Sequence, residues 1–102
     1  MMARRLRKPS KRLLAQLAAN KRRDWTAKRL KEQGGLCYWC ARRVLEPTCD
    51  HLIPLSRGGE DHYENVAAAH PWCNEAKGDR LPDEFAEPGQ FDSREAYRRA
   101  RA

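Results

Sequence analysis

Leu13, Leu14, Leu17 and Ala18 fall at helical spacing behind Pro9-Ser10 and predict a helix with a narrow apolar stripe and Ser10 as its N-cap. Asn20-Lys21-Arg22-Arg23 interrupts that stripe. Asp24 is placed to cap a second helix over 25–33, with Trp25, Ala27 and Leu30 inward and Gly34-Gly35 as its stop, so 11–33 reads as one bent helix or as two. From Cys37 the period changes. Val44-Leu45, a turn at Glu46-Pro47 and Thr48-Cys49-Asp50-His51 predict a short β-hairpin whose second strand ends on the Asp-His pair. Leu52 to Gly59 is too rich in Pro and Gly to continue as a regular element and reads as an ordered loop. A helical turn is expected within Tyr63–Ala69. Pro71 then opens a helix that carries Cys73, Asn74 and Lys77 and ends at Gly78. Leu81–Phe85 predicts one packed turn, and Ser93 is expected to cap a last helix bearing Tyr97 and a basic end. The expected class is α+β, in three parts: a basic helical arm over 1–33, a compact core over 34–80 and a C-terminal extension over 81–102. Residues 1–9 offer almost nothing to bury and read as a disordered basic tail.

Charge sharpens this division. The net charge of the 102 residues is +7. Residues 1–33 hold twelve Lys/Arg against Asp24 and Glu32, a net +10, while residues 34–102 hold nine against twelve acids, a net −3. A cationic arm on a mildly acidic body is the pattern of a polyanion binder. Arg22, Arg23 and Lys28 in the arm are therefore candidate phosphate contacts, set against the plainer reading of a solvated helix face. Trp25 reads as a core anchor rather than a base-stacking side chain.

A chain this short builds one small core, and such cores often rely on a metal or on disulfides. No apolar segment follows the basic Met1–Arg5 to make a secretion signal, and no run approaches a membrane span, so a reducing cytoplasm and metal-bound thiolates are the expectation. Cys37-x-x-Cys40 and, thirty residues after Cys40, His70-x-x-Cys73 each put two soft ligands on one tight turn. Together they supply the four N/S ligands of a closed, tetrahedral structural zinc site. Cys49 competes with His70 for the fourth place, but the strand reading turns it inward as a small hydrophobe.

Between the two knuckles lies a second constellation. Hydrolysis of a phosphodiester needs an activated water, relief of charge on the transition state and help for the leaving oxyanion. A hard divalent ion on few protein ligands serves the last two needs. Asp50 is an oxygen ligand, Asn74 offers a carboxamide oxygen, and His51, on the opposite face of the strand from Asp50, suits deprotonation of the water. Arg57 and Lys77 are candidate phosphate contacts, and His62 falls on the surface of the loop.

Asp50-His51-Leu52-Ile53-Pro54-Leu55-Ser56-Arg57-Gly58-Gly59, then Asn65, then Cys73-Asn74-Glu75-Ala76-Lys77 resemble the HNH endonuclease family in residues 34–80. The resemblance implies a ββα-metal core that cuts DNA with His51 as general base, with Asp50 and Asn74 on a catalytic Mg²⁺ or Mn²⁺ (Ni²⁺ as a further choice). It implies that Asn65 braces the loop so that His51 is correctly aimed. It also implies a 5′-phosphate product and a setting in a bacterial or phage-infected cell, where small proteins of this type resemble nucleases that assist a phage terminase in genome packaging. The family often has His where Asn74 stands. The rival reading is a zinc-stabilised DNA-binding module without catalysis, which shares the knuckles and the arm but has no use for Asp50-His51 with Asn74. A disulfide-stapled secreted toxin would need an export signal.

Overall fold

A computed structural model describes residues 8–102; of the expected basic tail, residues 1–7 lie outside the described residues. The helices are α1 (Lys11–Glu32), α2 (Pro71–Lys77), α3 (Pro82–Phe85) and α4 (Arg94–Arg101), and the strands β1 (Thr48–His51) and β2 (Val66–Ala69). Among the described residues, no helix is long and apolar enough to cross a membrane.

The arm folds as one helix. Ser10 caps α1, its hydroxyl oxygen accepting from the Leu13 N–H at 3.0 Å. Asp24 is an exposed interior residue of α1 and caps nothing. Gly34 and Gly35, at φ +70° and +81°, turn the chain out of the helix in a region only glycine enters freely. The first half of the predicted stripe is not packed against the described residues: Leu13, Leu14 and Leu17 are about half exposed. The second half packs in part: Trp25 is half-buried and Leu30 lies against the core, but Ala27 is exposed, and Thr26 is the residue buried there.

The hairpin is not the expected one. β1 pairs antiparallel with β2, Thr48 opposite Ala69 and His51 opposite Val66. Val44 instead closes the first knuckle, its N–H on the Gly35 carbonyl at 3.0 Å and its side chain in the core, while Leu45 points outward. The expected helical turn is a 3₁₀ turn over Tyr63–Asn65, and the chain then straightens into β2. All four β2 residues are buried, three of them Ala, so α1 approaches closely and Ala69 fits among Cys37, Trp39 and Val44. The free edge of β2 is covered: the Gln33 side-chain amide both accepts from the Ala68 N–H (3.0 Å) and donates to the Ala68 carbonyl (2.9 Å), which also takes the Tyr38 N–H.

Alternation along the strands assigns the faces. Thr48 and Asp50 face α2, and Cys49 and His51 face α1. Trp39, fully buried, is the central side chain of the core, edge-on to Tyr38 at 4.8 Å and to Phe85 at 5.1 Å. The C-terminal residues are part of this core: the Gly89 and Phe91 N–H groups bond to the Tyr38 and Trp39 carbonyls, both at 2.9 Å, and Phe91 packs on Phe85. Ser93 stands at the start of α4 but is buried and makes no side-chain cap; Asp92 accepts from the Arg94 N–H instead.

Candidate functional site

The two knuckles converge. One ligand atom each from Cys37, Cys40, His70 and Cys73 lies within 4.8 Å of the others; Cys37, His70 and Cys73 are buried and Cys40 is half-buried. Bonds of about 2.3 Å to sulfur and 2.0–2.1 Å to nitrogen at tetrahedral angles put ligand atoms about 3.5–3.8 Å apart. The His70 Nδ1 to Cys40 Sγ and Cys73 Sγ separations are 3.4 and 3.8 Å. His70 Nε2 donates to the Arg43 carbonyl at 2.8 Å, which leaves Nδ1 as the bare, metal-facing nitrogen. The Cys37 thiol is held down at about 4, chiefly by the hydrogen bond from Cys73 and also by backbone N–H groups of Cys40, His70 and Trp39; the same bond and burial push Cys73 up. Thiolates crowded in this way need a divalent cation between them, and the set fits zinc. Cys49 stands outside it, half-buried toward Thr26 of α1.

At the far end of β1, His51 Nε2 lies 2.9 Å from Asp61 Oδ1. Arg22 of α1 grips the same carboxylate, Nη2 at 2.7 Å and Nε at 3.0 Å. Arg22 and His51 together hold the Asp61 carboxyl at about 2, below the ordinary 3.8. An ionised Asp61 only accepts, so Nε2 carries a proton toward it, and the other ring nitrogen, Nδ1, makes no hydrogen bond among the described residues. Asp61 was not singled out in the sequence, where Glu60-Asp61-His62 reads as an ordinary polar loop.

Asn65 ties the loop after His51 to itself. Its Oδ1 accepts from the Ile53 N–H, and its Nδ2 donates to the Ile53 and Glu60 carbonyls, each at 2.9 Å. Gly59 lies so close beneath that a Cβ would stand 1.8 Å from the Ile53 oxygen and 2.9 Å from Asn65 Nδ2. Gly59→Ala is therefore expected to lower stability by at least the ~1–3 kcal/mol of ordinary overpacking. Urea denaturation of zinc-loaded protein reads this, and an unchanged midpoint would mean that the loop yields freely.

Residues 37–80 match the family model for HNH endonuclease. The similarity to an HNH domain is confined to this segment. The match spans 44 of the 102 residues, so it speaks for the knuckles, the hairpin and α2 and not for α1 or α4. No curated protein and no solved structure matches the chain. An HNH domain points to nuclease or DNA-binding activity with a metal site, and the two strands followed by α2 agree with a ββα-metal fold.

Within the HNH domain, Asp50 is placed for a different contact from the one expected. It is 1% exposed; Oδ2 accepts from the Trp39 indole at 2.5 Å and Oδ1 lies 3.3 Å from the Lys77 ammonium. Burial pushes its carboxyl up, against the pull of Trp39 and Lys77. Asn74 aims its Nδ2 at the Thr48 hydroxyl and the Cys49 carbonyl, at 3.4 and 3.5 Å. Thus, as arranged here, Asp50 and Asn74 do not fit a hard divalent ion: both carboxylate oxygens serve internal donors, and a cation of the protein's own already faces one of them.

Lys77 departs furthest from its expected role as a surface phosphate contact. It is 1% exposed and divides its ammonium between Asp50 and the His51 carbonyl. Breaking a buried ion pair on one side typically costs about 3–5 kcal/mol, because the other charge stays buried. Lys77→Met is expected to lose that much in thermal or urea unfolding, with Asp50→Asn in the same chain restoring part of it; a loss below about 1 kcal/mol would show that water reaches Asp50 readily. Arg22 is held by Asp61, Arg57 is paired with Glu84 at 2.6 Å, and Lys28 lies over the Tyr63 ring at 4.6 Å. Arg23 is exposed, with a long contact to Asn20. His62 is on the surface as expected, and Trp25, half-buried, lies 6.3 Å from its ring.

Proposed function

We propose that this protein is an endonuclease that hydrolyses DNA phosphodiester bonds, with His51 as the general base. The observation that supports this reading over a pure DNA-binding module is the His51–Asp61–Arg22 chain. A carboxylate kept ionised by a guanidinium fixes one imidazole nitrogen as the donor and leaves the other free to accept a proton. A binder needs no such arrangement. In the proposed reaction His51 Nδ1 takes the proton of the attacking water, Asp61 stabilises the imidazolium that forms, and Asn65 holds the 53–60 loop in register with His51. Asp61 thus extends the set inferred from sequence.

The phosphodiester chemistry also calls for a hard divalent cation, Mg²⁺ or Mn²⁺, and Asp50 with Asn74 are the proposed donors only in a state where Lys77 has released Asp50. Exposed cations of α1, Arg23 among them, are the proposed backbone contacts, which makes affinity salt-dependent and largely sequence-tolerant. The 5′-phosphate product, the cytoplasm of a bacterial or phage-infected cell and a phage packaging complex as partner are part of the same proposal and rest on the resemblance of the HNH motif. The division into an arm over 1–33, a nuclease core over 34–80 and an extension over 81–102 is proposed as a division of roles only, because the last part packs into the core.

Supercoiled plasmid incubated with the zinc-loaded protein and Mg²⁺ or Mn²⁺ tests the reading. Nicked or linear product is expected. DNA binding without any cleavage in either ion would return the protein to the binding-module class.

A further inference from the structure

A cleft of about 660 Å³ opens where the second knuckle meets α4, at the opposite end of the hairpin from His51. β1 separates the two by about 10 Å of strand. The volume falls within the roughly 300–1,000 Å³ of sites that enclose small organic groups. Four guanidinium groups, on Arg42, Arg43, Arg94 and Arg98, border it against one carboxylate, Glu46. Between the charges its lining is apolar: Leu45 is 85% exposed and Tyr97 is 39% exposed, a costly display for a small domain unless something covers it.

The floor of the cleft is rigid. His70, held by the zinc set and by the Arg43 carbonyl, stacks on Trp72 at 4.4 Å and 15°, and Trp72 meets Tyr97 edge-on at 5.0 Å. Of the cations, Arg94 is paired with Asp92 at 2.7 Å and Arg98 more loosely with Glu95 at 3.8 Å, both on exposed side chains. Exposed pairs of this kind are worth little and give way to a stronger anion.

We infer that this cleft binds single-stranded nucleic acid, phosphates on the arginines and an unstacked base against Tyr97 and Leu45. Cations set around an aromatic and aliphatic platform are what a single strand requires, because every base has an apolar face and every linkage a charge. A duplex keeps its bases inside and would leave the apolar surface uncovered. The choice of nucleic acid over another polyanion rests on the nuclease reading; the binding itself does not require cleavage. The cleft would hold a strand already opened near the cut, on a surface separate from the His51 end of the hairpin.

Fluorescence anisotropy with a labelled twelve-nucleotide oligo-dT and a duplex of equal length, in low salt without added divalent ions, tests the inference on the zinc-loaded full chain. Arg94→Ala with Arg98→Ala is expected to weaken oligo-dT about tenfold with a much smaller effect on duplex. It should also flatten the slope of log affinity against log salt by about 1.4, two lost contacts at ~0.7 each. Leu45→Glu, on a side chain outside the core, is expected to weaken oligo-dT similarly with no change in zinc content or melting temperature. Unchanged affinity in both variants would overturn the site, and equal losses on single strand and duplex would overturn its assignment to single strands. Displacement of oligo-dT by polyglutamate of equal charge would make it a general anion site instead. Cleavage is read separately on plasmid, so an inactive protein that still binds oligo-dT here would sink the nuclease reading and leave the cleft standing.

Discussion

Replacing His51 by alanine is expected to lower plasmid cleavage by about 10²- to 10⁴-fold, the range a positioned general base contributes. His51 is not part of the zinc set, so zinc content and fold should survive. Asp61→Asn tests the same base from behind. An amide can present its NH₂ to Nε2 and move the imidazole proton to Nδ1, the atom that must accept, so the loss should approach that of His51→Ala although His51 is still present. Asp61→Glu retains the charge and should recover part of the rate. The drop should fall on kcat with little change in KM for DNA, since neither residue is proposed to contact the phosphates. Cleavage unaffected by Asp61→Asn would show that Asp61 only anchors α1 through Arg22. Cleavage unaffected by His51→Ala would remove the proposed base altogether.

The depressed carboxyl of Asp61 bears on this test. Its folded value of about 2 lies below its ordinary 3.8, so its contacts add stability above about pH 4 and lose it as pH falls toward 2. Near neutrality Asp61 is a carboxylate throughout, and any change in rate with pH there has to come from another group.

Why Asp61 escapes the sequence while His51 does not is a matter of distance. Asp50-His51, Asn65 and the knuckles sit in short motifs with fixed spacing, and those motifs bring the zinc set together as read. Asp61 and Arg22 are 39 residues apart, and their meeting depends on α1 crossing the His51 face of the hairpin, which no local pattern encodes. The same holds for Lys77: on the helix it reads as a cation facing forward, yet α2 packs on β1 so tightly that the side chain ends beneath Asp50. β2 is the clearest miss in the fold. Val66-Ala67-Ala68-Ala69 has only Val66 of the branched residues that mark strands, and alanine favours helix. Tertiary demand overrides that preference, because His70 is pinned beside Cys40 and only small side chains fit between α1 and the Trp39 core. Pro9-Ser10 and Gly34-Gly35, by contrast, bound α1 as expected, because caps and stops are local chemistry. Its single-helix form follows from Lys21, Arg22 and Arg23 at the interruption, good helix formers that outweigh Asn20.

Removing zinc is expected to unfold the HNH core rather than loosen it. Structural zinc sites contribute about 10–16 kcal/mol of apparent binding energy near neutral pH, which equals or exceeds the whole ~5–15 kcal/mol stability of a typical domain. Here the site joins Cys37 and Cys40 to His70 and Cys73, and everything that shapes the hairpin lies between those knuckles. Trp39, Val44, Ala69 and Cys73 share one core with Cys37, so the ligands are themselves core side chains. Without the ion, thiols crowded around His70 must protonate or separate, and either change opens that core. Chelation, or Cys73→Ser, should therefore expose Trp39 to water and red-shift its emission, dissolve the β1–β2 pairing and abolish DNA cleavage at once. The Ser10-capped first turns of α1, which contact nothing in the core, are expected to lose helix least. Cys49→Ser is the internal control: outside the zinc set, it should leave one zinc per chain and an almost unchanged melting temperature. If chelated protein kept its melting temperature and its Trp39 emission, the core would be holding itself together by packing alone. The His70–Trp72 stack would then owe its rigidity to the Arg43 carbonyl rather than to the metal.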